Sequence, residues 1–254
     1  MGICMGLTSL VGAQEADQAA WLQKARKAYY SLDRERMSLF KSEMVPNWRT
    51  LLAGQKMQPQ DLTRVVDKLN GIHFTLVLNR EGKASISHTT VEAENEHVAE
   101  GLKQIYGGME QMATGFFQTW TMFMLRPPLP EPSTPFKLEE LGGWYVLRYR
   151  EGEVQIETTL GKDLVISSVK TLAPGFNSSL TPRFVKSPKG LVLVGYQATY
   201  RTPTGTDATD LDVGIANQEV GGLTFPGKLD LRGTYNGSSF QVEITFTGSQ
   251  TKQD

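Results

Sequence analysis

From Ala93 to Leu125 the apolar residues Val98, Leu102, Ile105, Met109, Met112, Phe116, Trp120 and Phe123 follow one another at steps of four, three, four, three, four, four and three. That spacing predicts an amphipathic helix with one apolar stripe running along about 40 Å of its length. Four prolines between Pro127 and Pro132 then exclude both helix and central strand and set a break at 127–135. Beyond Pro135 the period changes from 3.6 to 2. Segments 144–150, 154–159, 164–170, 180–186, 191–202, 210–218, 228–233 and 238–248 alternate apolar and polar residues. They are separated by turn signals such as Glu151-Gly152 and Tyr235-Asn236-Gly237, which predict successive antiparallel strands. The last segment is the clearest. Phe240, Val242, Ile244 and Phe246 face one way, and Gln241, Glu243, Thr245 and Thr247 face the other.

The first ninety residues carry a mixed pattern. Three- and four-residue steps over 16–40 (Ala20, Leu22, Ala25, Tyr29, Leu32, Met37) predict a helix interrupted near Ser31-Leu32-Asp33, and alternation over 38–45 predicts a short strand. Segments 48–53 and 60–69 read as two short helices, the second with Asp61 as its N-cap. Segments 72–79 and 84–89 read as a hairpin turning at Gly82. A long striped helix needs a sheet to cover it, so the expected fold class is α+β: a large curved antiparallel sheet, a half-barrel, covered by helices as a single domain over 14–254.

Charge and cysteine content narrow the function classes. Among 254 residues, 26 Lys and Arg balance 27 Asp and Glu, for a net charge of −1. That balance argues against a nucleic-acid-coating role, which depends on a basic excess. The single cysteine is Cys4, within the uncharged run Ile3–Ala13. Val11-Gly12-Ala13 offers the small residues a signal peptidase accepts, so residues 1–13 read as a signal peptide and the mature chain as cysteine-free and periplasmic or secreted. About ten apolar or small residues fall well short of the roughly 20 needed to span a bilayer, so no transmembrane span is expected.

Motifs of catalysis are missing: the chain has no GxSxG, HExxH, GxxxxGK[ST] or strand-to-helix GxGxxG. His88 and His97 with Glu92, Glu94 and Glu96 form the one grouping that resembles a metal or acid–base site, but its spacing matches no ligand pattern. The pairs Glu139-Glu140 and Asp210/Asp212 lie near turns and strand ends. The chain is therefore expected to be no enzyme and to hold no cofactor or metal. Its most informative feature is the crowding of Met109, Met112, Phe116, Phe117, Trp120, Met122, Phe123 and Met124 into sixteen residues. Methionine adapts to irregular apolar partners, and one helix face cannot absorb all of these side chains. Met109, Met112, Phe116, Phe117, Trp120 and Phe123 on the helix, with Phe240, Val242, Ile244 and Phe246 on the last strand, are the candidate lining of a ligand cavity. Arg148, Tyr149 and Arg150 are candidates for its polar rim.

The segment Asn217-Gln218-Glu219-Val220-Gly221-Gly222-Leu223-Thr224-Phe225-Pro226-Gly227-Lys228-Leu229, followed by the strand Phe240–Phe246, resembles the closing strands of the bacterial periplasmic lipoprotein-carrier superfamily, of the LolA and LppX kind. That resemblance covers about the last 45 residues. It implies a half-barrel with helices as a lid and acyl chains held in the apolar space between. The expected function is thus an exported soluble binding protein holding a lipid or other hydrophobic ligand between sheet and helices. The alternative is an envelope protein-interaction or scaffold module with a solid core and no ligand. The two readings differ in whether an apolar cavity lies between helix and sheet.

Overall fold

The computed structural model describes residues 7–202 and 208–254, with side chains described from residue 17 onward. Four helices lie among them: α1 (Leu7–Lys27), α2 (Trp48–Leu52), α3 (Pro59–Leu69) and α4 (Glu96–Met124). The strands are β1 (Met37–Pro46), β2 (Phe74–Asn79), β3 (Ala84–His88), β4 (Phe136–Leu141), β5 (Trp144–Glu151), β6 (Val154–Leu160), β7 (Ile166–Ala173), β8 (Phe176–Ser187), β9 (Gly190–Arg201), β10 (Ala208–Val220), β11 (Leu223–Tyr235) and β12 (Ser238–Gln253). All twelve form one antiparallel sheet in the order β3-β2-β1-β12-β11-β10-β9-β8-β7-β6-β5-β4. The sheet is curved and does not close, in keeping with the expected α+β class.

From β4 to β12 each strand pairs with its successor. The N-terminal strands join this meander through β1, where Phe40 lies opposite Thr251 and Met44 opposite Phe246. The proline-rich segment therefore interrupts the chain without dividing the sheet, and side chains from both sides of it share one core. The inner face of the sheet carries that core. Phe225 stacks on Phe40 with ring centroids 4.0 Å apart, Phe246 meets Phe117 edge-on at 5.9 Å, and Phe184 meets Phe123 at 5.9 Å. These contacts show that α4 crosses the inner face from β12 towards β8.

α1 ends where the sheet captures its backbone. The Tyr30 N–H donates to the Leu191 carbonyl at 3.0 Å, and the Leu191 N–H donates to the Ala28 carbonyl at 2.8 Å. The Tyr29 hydroxyl accepts from the Ile166 N–H at 2.8 Å and donates to the Leu164 carbonyl at 2.6 Å. Arg26 reaches the carbonyls of Leu129 and Pro130, both at 2.6 Å, and so fastens the proline-rich segment to the end of α1. The helix expected over 16–40 consequently stops at Lys27, and 37–46 is a strand. Met37 and Phe40 mimic helical spacing because a pairing irregularity between Met37 and Leu39 lets both point inward.

The helix expected over 93–125 starts at Glu96, with Asn95 accepting from the Val98 N–H as its cap. α3 begins earlier than expected, with Gln58 at the N-cap position and Asp61 inside the first turn, since Pro59 has a fixed φ and no N–H and suits the first helical position. β4 is a strand the alternation did not announce, because this sheet edge is short and carries Lys137, Glu139 and Glu140. Of the expected signal peptide, Leu7–Ala13 belong to α1, while Met1–Gly6 with Cys4 lie outside the described residues. No helix among the described residues is long and apolar enough to cross a membrane.

The outer face is laced by cross-strand ion pairs. Arg148 reaches Glu139 at 2.6 Å and Glu157 at 2.8 Å, Arg183 reaches Asp212 at 2.8 Å, and Arg201 reaches Asp210 at 2.8 Å. Arg148 holds the Glu157 carboxyl below its ordinary value of 4.5, and Lys137 together with Arg148 lowers Glu139. A carboxyl depressed in the folded state stabilises the fold above its unfolded pKa and loses that contribution as pH falls through the folded value. The stability difference between wild type and Glu157→Gln is accordingly expected at pH 7 and should shrink steadily below about pH 4.5; urea unfolding at a series of pH values checks it. On the inner face Phe117 is fully buried between Phe116, Trp120 and Phe246. Phe117→Ala should cost about 3–5 kcal/mol, whereas Met122→Ala, at a residue 49% exposed, should stay within about 0.5 kcal/mol. Denaturant midpoints of the two variants compare them directly.

Candidate functional site

α4 is held to the rest of the molecule near both ends. Towards its N-terminus the Tyr106 ring stacks on His88 at 4.0 Å, and its hydroxyl accepts from the Val91 N–H at 3.2 Å. At its C-terminus the carbonyls of Met124 and Leu125 accept from the N–H groups of Leu32 and Asp33, both at 2.9 Å, and the Ser31 hydroxyl also donates to Leu125 O at 3.0 Å. Between these fixed points lies an open groove of about 450 Å³ along one flank of the helix. Its helical wall is built from two neighbouring rows, Gly108, Gln111, Gly115 and Gln118 in one and Met112, Phe116 and Thr119 in the other. Its sheet wall is the inner face at the end where the β9–β10 and β11–β12 hairpins turn. Tyr196 and Tyr200 come from β9, Thr209 and Leu211 from β10, Leu231 and Tyr235 from β11, and Phe240 from β12.

Two glycines of the helical wall, Gly108 and Gly115, lie on the exposed side of α4. A Cβ at Gly108 or Gly115 would meet no atom within 4 Å, so both positions border free space rather than a close backbone approach. Glycine inside a helix costs roughly 1 kcal/mol relative to alanine, and α4 carries it at Gly101, Gly107, Gly108 and Gly115. The polar groups of the groove are neutral. The Thr119 hydroxyl donates to the Gly115 carbonyl at 3.3 Å and lies 3.3 Å from the Tyr200 hydroxyl, which can donate to it. Tyr196 is 1% exposed, and burial raises its phenol pKa far above the usual range, keeping it protonated. The side-chain amides of Gln111 and Gln118 have no hydrogen-bond partner among the described residues. No ionisable carboxylate, amine, guanidinium or imidazole occurs among the described lining residues. On the strands the charges next to the lining turn to the outer face, as with Arg201 and Asp210, where Arg201 Nη2 lies 2.8 and 2.9 Å from the two Asp210 carboxylate oxygens, and on the helix Glu110 is exposed beside Gln111.

The ten residues expected to line a cavity divide between groove and core. Met112, Phe116 and Phe240 line the groove. Met109, Phe117, Trp120, Val242, Ile244 and Phe246 are buried in the packed core, and Phe123 reaches a smaller hollow of about 380 Å³ beside Ile156, Tyr149 and Val169. The sequence pattern placed these residues on the correct faces. It did not bring in Tyr196, Tyr200, Leu211, Leu231 or Tyr235, since inward alternation on a strand does not reveal which strand end lies under which helical turn.

The expected rim residues lie elsewhere. Arg148 and Arg150 line a hollow of about 690 Å³ on the outer face, where Arg148 is engaged by Glu139, and Tyr149 borders both that hollow and the smaller inner one. Glu157 and Lys170 also line the outer hollow and are paired with Arg148 and with each other respectively, so its charges are largely satisfied internally. The histidine–glutamate grouping is not assembled. His88 Nδ1 lies 3.0 Å from the Thr89 carbonyl and its ring stacks on Tyr106, Glu94 pairs with Lys68 at 2.9 Å, and no group of three metal-binding side chains occurs among the described residues. Each paired carboxylate has a cation of its own: Glu139 has Arg148, Glu140 has Lys162, Asp210 has Arg201 and Asp212 has Arg183. Comparison with protein-family models, with curated proteins and with solved structures gives no match, so the geometry of the groove stands without a known relative beside it.

Proposed function

We propose that the chain is an exported binding protein that holds a hydrophobic ligand, such as a lipid, in the groove between α4 and the inner face of the sheet. The observation that carries this reading is the groove itself. Its volume of about 450 Å³ falls in the range of small-molecule sites, and aromatic and aliphatic side chains form most of its wall. An acyl chain entering it gains roughly 0.8 kcal/mol for each methylene removed from water. Phe117, Trp120, Phe123 and Met124, on the side of α4 turned to the core, are fully packed and hold the helix against the sheet. The expected signal peptide and the cysteine-free mature chain support a place outside the cytoplasm.

The test uses Gly115→Trp, whose indole would occupy the groove from a position with open space around its Cβ. Wild-type protein is expected to enhance the fluorescence of the neutral apolar dye N-phenyl-1-naphthylamine and to release a lipid on solvent extraction. Gly115→Trp should do neither while keeping its far-UV circular dichroism. Dye binding that survives the substitution unchanged would remove the groove as the site, and a wild type that binds no dye and releases no lipid would remove the function.

A further inference from the structure

We infer that the ligand of the α4 groove is an uncharged amphiphile, one whose polar group is a hydroxyl, ester or amide rather than a carboxylate, phosphate or ammonium. This rests on the groove being the binding site and goes further by assigning the chemistry of the head group. The argument begins with how charge is distributed over the molecule. The outer face is rich in it, and the hollow there is lined by Lys137, Arg148, Arg150, Glu157 and Lys170. The inner groove has none among its described lining residues. The alternation of the strands produces this contrast at single-residue resolution: Tyr200 faces the groove while Arg201 turns outward, and Thr209 faces the groove while Asp210 turns outward to meet Arg201.

An ionised head group lodged against Tyr196, Phe116 and Leu231 would surrender its hydration and find no counter-charge, which disfavours its binding. A neutral polar group meets no such penalty, because the groove supplies neutral partners of both kinds. The exposed Gln111 and Gln118 amides each offer a donor and an acceptor at the mouth of the groove, with no hydrogen-bond partner among the described residues. The Tyr200 and Thr119 hydroxyls, 3.3 Å apart, form a second polar station deeper on the helix flank. The long Thr119–Tyr200 separation leaves this pair able to exchange its weak mutual contact for a bond to a ligand oxygen.

The experiment compares oleyl alcohol, monooleoylglycerol and oleate, which share one hydrocarbon chain, in equilibrium binding to the full chain below their aggregation concentrations. At pH 8 the alcohol and the monoacylglycerol are expected to bind at least tenfold more tightly than oleate. Oleate affinity should rise as the pH is lowered through its own carboxyl titration, while that of the alcohol stays constant. Tyr200→Phe, which keeps the ring in place, should weaken the monoacylglycerol several-fold and leave oleate at pH 8 unaffected. Oleate binding as tightly as the alcohol at pH 8, or a cationic alkyl ammonium doing so, would overturn the head-group assignment and leave the groove reading intact. Failure of oleyl alcohol, monooleoylglycerol and oleate all to bind would overturn the groove reading itself.

Discussion

One long helix laid across the inner face of a curved sheet cannot cover all of it, and the interior of this protein follows from that constraint. α4 has 29 residues, about 43 Å at 1.5 Å per residue, and its position is set by what holds its ends. The C-terminal end is the firmer. Four groups close on Met124 and Leu125: the backbone N–H groups of Leu32 and Asp33, the Ser31 hydroxyl, and the Leu193 N–H, which donates to the Met124 sulfur at 3.3 Å. Carbonyls at a helix end that would otherwise lack partners are thereby satisfied inside the core. The same stretch of chain is fastened to β9 through Tyr30 and Leu191. Helix, crossing segment and sheet are thus locked at one corner, and the space left between that corner and the Tyr106 contact is the groove.

The division of labour along α4 follows from which side chains each turn carries. Phe117, Trp120 and Phe123 are bulky and lie over Phe246, Phe225 and Phe184, so the later turns fill their part of the concavity. The earlier turns alternate Met112 and Phe116 with Gly108 and Gly115, and two glycines cannot fill the same space. The result is a groove open to solvent along the exposed row Gly108, Gln111, Gly115 and Gln118 and floored by buried residues such as Phe116, Tyr196 and Leu231. Here it coincides with neutral hydrogen-bonding groups and with the inward ends of four neighbouring strands.

Much of this was legible in the amino-acid order. The period of 3.6 over α4 and of 2 along β12 named the two surfaces that meet, and Phe117 against Phe246 realises that pairing. What the pattern could not convey was pairing in space. Nothing in the alternation of Met37–Pro46 reveals that it joins β12, some two hundred residues on. The end of α1 at Lys27 was hidden because the competing partner, Leu191, is remote in sequence. For the same reason Tyr196 and Tyr200 read only as inward-facing strand residues, and Arg148 read as available for a rim when Glu139 and Glu157 already engage it across the outer face. The glycines at 108 and 115 were the overlooked local signal. A helix that otherwise favours large apolar residues gains nothing in propensity from them, and their seven-residue spacing sets both on the flank that stays open.

The central claim is that ligand enters beside Met112 and leaves the packed end of α4 unchanged. Methyl-¹³C NMR of methionine-labelled protein tests it most directly, because Met112 lines the groove while Met124 is fully buried, with its sulfur accepting the Leu193 N–H. Titration with monooleoylglycerol is predicted to shift the Met112 methyl resonance progressively to saturation and to leave the Met124 resonance in place. A shift at Met124 with Met112 unmoved, or no shift at either, would contradict the account.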